Sequence, residues 1–181
     1  MKIGQGVLLL AAALLVTGCV GSGEDTNPAV ASSARSAAQI SSSAGPGAPV
    51  PEPLRFTART VDGAEFFGAS LVGKPVVLWF WAPGCPDCRT EAPRVAEAAR
   101  THPDVQFVGV AAGDQIPAMR AFAADHALPF ASIADTDGSV SQRFRVTDHP
   151  AFVFVSKYTE VDTVPGTLSE PELTARIASL D

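Results

Sequence analysis

The chain has 181 residues, 46% of them hydrophobic, which suits one folded domain with a real core plus tails. A formal net charge of −6 leaves no basic surplus to neutralise phosphates and argues against a nucleic-acid partner. Three cysteines is an odd number, so they cannot all pair with one another.

The first residues account for the odd one. Met1-Lys2 is followed by an unbroken apolar run, Val7 to Val16. A run that short suits the core of a signal peptide, because a membrane-spanning helix needs about 20 residues. It ends in Thr17-Gly18-Cys19, small residues ahead of a cysteine, which resembles a bacterial lipobox. That resemblance implies removal of residues 1–18 and lipidation of Cys19; the alternative is an ordinary signal peptide with a chance cysteine. From there to Pro53 serine, alanine, glycine and proline dominate, without an aromatic residue or any period. Such a segment cannot bury enough surface to offset its ordering entropy, so 19–53 is expected to be a disordered tether. The folded domain is expected over 54–181.

Within it, Leu54–Thr60 and Ala64–Phe67 flank Val61-Asp62-Gly63 and read as a hairpin. Pro75–Trp81 is apolar on both faces, the mark of a central strand covered on both sides. Pro83-Gly84 then turns the chain into Cys85-Pro86-Asp87-Cys88, and Pro86–Thr101 reads as a helix with Pro86 at its first position. Cys88, Ala92, Val95 and Ala99 share one face of it, and Pro93 removes one of its backbone hydrogen bonds. Val105–Ala111 is a second buried strand. Asp114 is expected to cap a helix opening at Ile116-Pro117, with Met119, Phe122, Ala123 and His126 at helical spacing. A short helix over Gly138–Phe144, strands over Ala151–Ser156 and Glu160–Val164, and a last helix complete the domain. Ser169 and Glu172 form a capping box for that helix, with Leu173, Ile177 and Leu180 facing inward. This order predicts an α/β sandwich with helices on both faces of a sheet.

Two cysteines three apart at a helix start can close a small disulfide ring. The helix N-terminus carries partial positive charge and free N–H groups, which lower the pKa of Cys85 and favour its thiolate. Cys88 lies one turn in, on the buried side. Cys85 is then the nucleophile and Cys88 the resolving thiol. Other readings are weaker. A zinc site needs more ligands, and His102, His126 and His149 lack metal-ligand spacing. A structural bridge closing so short a loop gains little entropy, and a reduced core pair is unusual in a secreted protein.

The stretch Val76–Cys88 resembles the thioredoxin-superfamily signature. Pro93 resembles that family's helix-kinking proline, and His149-Pro150 its cis-proline loop. The hairpin and the insert over Asp114–Phe144 are similar to the TlpA/ResA/DsbE branch, actinobacterial lipoproteins of the DsbF type included. The resemblance implies a thioredoxin fold with a central mixed β-sheet, helices on both faces, an N-terminal hairpin and a central insert. It implies a cis His149–Pro150 bond and a substrate groove formed by Pro150, His149 and Trp81, although a central strand would bury Trp79 and Trp81. Pro86 and Asp87 would tune the pair. The family's usual aromatic residue before the first cysteine is Gly84 here. The buried acid of thioredoxin itself falls at Trp79, so that base is expected to be absent. Thr147-Asp148 replaces the cytochrome-maturation pattern, and Ala82 stands where a peroxiredoxin carries a hydroxyl.

The function so implied is an extracytoplasmic thiol–disulfide oxidoreductase, anchored by lipid at Cys19, that forms or isomerises disulfides in exported proteins. It needs no cofactor or metal beyond the Cys85–Cys88 disulfide. A membrane redox partner would regenerate the disulfide, and the protein would be a monomer. A reductant of the cytochrome-maturation type, or an inert anchored binding module on the same scaffold, are the alternatives. Asp87 opposes the thiolate and a partly protonated His149 favours it, so the potential is expected between about −120 and −270 mV.

Overall fold

The computed structural model describes residues 49–180, so the expected signal segment, Cys19 and most of the tether lie outside the described residues. Its elements run β1 (Thr57–Arg59), β2 (Glu65–Phe67), β3 (Val76–Trp81), α1 (Pro86–Thr101), β4 (Gln106–Ala111), α2 (Ile116–Asp125), β5 (Ser132–Ala134), α3 (Ser139–Arg143), β6 (Ala151–Val155), β7 (Val161–Pro165) and α4 (Glu170–Ala178). β1 and β2 pair antiparallel as the expected hairpin, with Gly63 at φ 89° in its turn. The main sheet has the order β5-β4-β3-β6-β7. β3 runs parallel to β4 and antiparallel to β6, so the sheet is mixed, as expected.

β3 sits in the middle because none of its six residues exposes a polar group, and all six are buried. Its alternation splits the core in two. Val77, Trp79 and Trp81 pack with residues of α1, α2 and α4, while Val76, Leu78 and Phe80 pack with Val140 and Phe144 of the α3 region and with Leu54 and Leu71. One face thus carries three helices, and the other carries one short helix, two 3-10 turns and the hairpin.

Three details depart from expectation. The insert contains a strand, β5, three residues long and paired parallel with β4, which is too short to show a period. The N-cap of α2 is Gln115 rather than Asp114; Asp114 Oδ1 instead accepts from the Gln115 N–H at 2.7 Å. The chain is also docked before Leu54. Val50 packs on the core, Glu52–Leu54 is a 3-10 turn, and Arg143 Nη1 donates to Glu52 O and Oε1 at 2.9 and 2.7 Å. The tether expected through Pro53 is therefore shorter, because an apolar residue and an ion pair hold its last residues. The final helix has its capping box, with Ser169 N–H donating to Glu172 and Glu172 N–H to Ser169.

Candidate redox site

α1 begins where β3 ends, after the Pro83-Gly84 turn. Cys85 is its N-cap, Pro86 and the exposed Asp87 open its first turn, and Cys85 and Cys88 are joined in a disulfide. Cys85 is partly exposed, whereas Cys88 is 0% exposed among the core residues. The backbone N–H of Cys88 points at Cys85 Sγ at 3.0 Å. On reduction that donor and the helix dipole favour negative charge on Cys85. A nucleophile can therefore reach only one sulfur, and the other leaves into the protein.

The second wall comes from far along the chain. The His149–Pro150 bond is cis, as expected, and the His149 carbonyl O lies 3.6 Å from Cys85 Sγ. Pro150 is buried and His149 half-buried. Trp81, expected in the groove, is not there: it is 0% exposed and stacks on Phe122 at 4.3 Å between ring centroids. Its place on the helix-covered face of a central strand outweighs its nearness to Cys85 in sequence. His149 also differs from expectation. Its Nε2 is enclosed, with no hydrogen-bond partner among the described residues. Burial lowers its pKa below the usual imidazole value, and the nearby Asp148 and Asp135 carboxylates offset this only in part. Burial thus works against the positive charge that His149 was expected to lend to Cys85.

One residue of the site was missed. Glu91, one turn beyond Cys88, is 0% exposed. Its Oε2 accepts from Trp79 Nε1 at 3.1 Å and its Oε1 from the Leu168 N–H at 2.9 Å, with Arg94 at 3.4 Å. Trp79 fills the strand position where an acid is expected to be absent, and the buried acid that hydrogen-bonds to this tryptophan comes from the helix. Burial raises its pKa, although the Leu168, Trp79 and Arg94 contacts pull the other way. The signal was an acid placed on the apolar stripe of α1, between Cys88 and Ala92. Among the described residues no group of His, Cys, Asp and Glu could hold a metal ion. A cavity of about 490 Å³ between α1 and α4 shares no lining residue with the redox pair.

Residues 46–166 match the model of the AhpC/TSA family. The chain is 44% identical over 132 residues to the soluble secreted antigen MPT53 of Mycobacterium tuberculosis, covering 71% of this chain and 76% of that one. The structure of MTB dsbF in mixed oxidised and reduced forms superposes with a TM-score of 0.72 and 51% identity, over 74% of this chain and 100% of that one. A secreted Mycobacterium tuberculosis disulfide oxidoreductase homologous to E. coli DsbE gives a TM-score of 0.69 and 43% identity, over 71% and 98%.

Proposed function

The chain belongs to the AhpC/TSA family and is a thioredoxin-fold thiol–disulfide oxidoreductase, and we propose that it works outside the cytoplasm, through Cys85 and Cys88, to form or isomerise disulfides in exported proteins. The observation that carries this reading is the asymmetry of the pair, with Cys85 open to partners and Cys88 sealed in the core. A substrate thiolate attacks Cys85 Sγ, the Cys85–Cys88 bond breaks, and Cys88 leaves with the electron pair and takes up a proton. A second substrate thiolate then attacks the substrate sulfur of the mixed disulfide and releases Cys85 as a thiolate. Two electrons pass from two substrate thiols to the pair. The helix N-terminus and the Cys88 N–H favour that released thiolate, which favours the reduced protein and so the oxidising direction. For isomerisation, the reduced Cys85 thiolate attacks a wrong substrate disulfide and one substrate sulfur leaves as a thiolate; a different substrate thiolate then displaces Cys85, with no net transfer of electrons.

Location follows the same proposal. The apolar run Val7–Val16 and relatives named as secreted support export, and the small residues Thr17-Gly18 before Cys19 support a lipid anchor there. Among the described residues no helix is long and apolar enough to cross a membrane.

The test is trapping. Cys88→Ala keeps the nucleophile and removes the resolver, so it should accumulate mixed disulfides with exported proteins, and Cys85→Ala should accumulate few or none. Equal trapping by the two variants would overturn the assignment. In the same cells, Cys19→Ala should move the protein from the detergent phase to the aqueous phase.

A further inference from the structure

A second opening lies beside the redox pair. A cleft of about 360 Å³ runs from Gly84, the residue before Cys85, to the C-terminal end of α2. That volume is within the range of about 300–1,000 Å³ that holds small ligands. Its apolar lining comes from Ala118, Ala121 and Phe122 on α2. Its polar lining is Arg89, Asp114, Asp125 and His126.

The entrance is open because of one residue. Gly84 carries no side chain, and a Cβ built on it meets nothing within 4 Å, so the space over this residue, next to Cys85 in the chain, is open. The charges inside are unequal in freedom. Arg89 is turned onto the entrance turn, where its Nη2 donates to the Pro83 carbonyl at 2.8 Å. The His126 ring packs on Phe122 at 4.4 Å. Asp114 uses one oxygen on the Gln115 N–H. Asp125 ends α2, and that helix has no basic residue in its last turn. A carboxylate at a helix C-terminus adds its charge to the negative end of the helix dipole, so this end of the cleft attracts a cation. Among the described residues no Lys, Arg or His lies in ion-pair range of Asp125 or Asp114; the ion pairs formed are elsewhere.

We propose that this cleft is a specificity subsite, entered over Gly84, for a lysine or arginine side chain close to the reacting cysteine of a protein substrate. The apolar stem lies on Ala118, Ala121 and Phe122 and the charged head reaches Asp125, as long basic side chains do when they cover apolar surface. The proposal rests on the exchange reaction above and adds which substrates it prefers.

The test uses the oxidised wild-type chain and single-cysteine peptides that differ only in one neighbour, lysine, glutamine or glutamate. Because Cys88 resolves the mixed disulfide, the rate of reduction of the Cys85–Cys88 disulfide by excess peptide is read, by thiol alkylation and mass spectrometry. Each rate is divided by that peptide's rate with a small neutral disulfide, which removes the effect of the neighbour on the thiol itself. The normalised lysine-to-glutamate ratio should be about two- to fivefold at low ionic strength, the size of an exposed ion pair. It should fall toward one at high salt, as screening shortens the reach of the charges. Asp125→Asn should bring the ratio toward one by removing the charge, and Gly84→Tyr by closing the entrance. Glu65→Gln, on the hairpin, should leave it unchanged. Equal normalised rates in the wild type, or a ratio that survives Asp125→Asn, overturn the subsite alone. If no peptide reduces the Cys85–Cys88 disulfide, the exchange reading and the subsite fall together.

Discussion

Replacing Glu91 tests how the buried acid holds the site. Glu91→Leu keeps a side chain of similar bulk but removes both acceptors. Trp79 Nε1 and the Leu168 N–H, which now donate at 3.1 and 2.9 Å, are then left in the core without partners. Each unsatisfied buried donor costs about 1–3 kcal/mol. The variant no longer has to desolvate a carboxyl group, which offsets part of the loss, so the net destabilisation should be about 2–4 kcal/mol. Against a total of about 5–15 kcal/mol for a domain, that is a large fraction. At about 3–5 °C per kcal/mol for a domain of this size, the melting temperature should fall by at least about 6 °C. Glu91→Gln separates the hydrogen bonds from the charge. Burial raises the folded pKa above the ordinary 4.5, so between those two values the folded state holds a proton that the unfolded state releases. Stability is then lost as pH rises through the folded pKa. The glutamine variant has no such slope, so its deficit relative to wild type should shrink as pH rises. Urea unfolding followed by tryptophan fluorescence, at several pH values, reads both effects. A Leu variant that melts with the wild type, or a Gln deficit that is constant with pH, would refute the account.

His149 should show the opposite slope. Burial lowers its pKa beneath the ordinary 6.5, so as pH falls below that value the unfolded state takes up a proton that the folded state resists. Stability from this group is present above pH 6.5 and lost as pH falls toward the folded pKa. His149→Gln should lose less stability over that window in urea midpoints, and an unchanged slope would show that the imidazole is not the group responsible. In the core, a Cβ on Gly109 would collide with Ser132 Oγ and stand 2.9 Å from Trp81 Nε1. Gly109→Ala should therefore destabilise by about 1–3 kcal/mol, an overpacking penalty visible in the urea midpoint, and a neutral effect would show that the β4–β5 pairing yields easily.

The sequence carried the elements whose physics is local. Six apolar residues in β3 cannot face water on either side, and α1 begins and ends at the expected residues because Pro86 suits a first helical position. Elements that depend on a neighbour were less legible. β5 exists because β4 offers it a parallel edge, and Ser132-Ile133-Ala134 alone has too few residues for a pattern. Trp81 is in the groove by resemblance alone, whereas the alternation of the central strand turns its ring under α2, against Phe122. Glu91 belongs to none of the motifs read from the sequence. Its position between Cys88 and Ala92, on the stripe that faces the core, was the available sign, and only the fold shows that Trp79 and Leu168 wait there as donors.

The meeting of Cys85 with His149 belongs to neither segment alone. They are 64 residues apart and are brought together by the antiparallel register of β3 and β6, in which Phe80 pairs with Ala151. That pairing places the start of β6 beside the end of β3, where α1 starts. A slip of two residues preserves which side chains face the core but moves the loop by about 7 Å, at roughly 3.4 Å per residue. A slip of one residue turns Phe152 and Phe154 onto the opposite face. The large residues therefore set the register: Phe152 and Phe154 join the cluster of Trp79 and Trp81, while Ala151, Val153 and Val155 join that of Leu78 and Phe80. Packing far from the sulfurs thus fixes the distance between the reactive pair and the carbonyl that faces it. By this logic the substrate-facing geometry of the site is a property of the core.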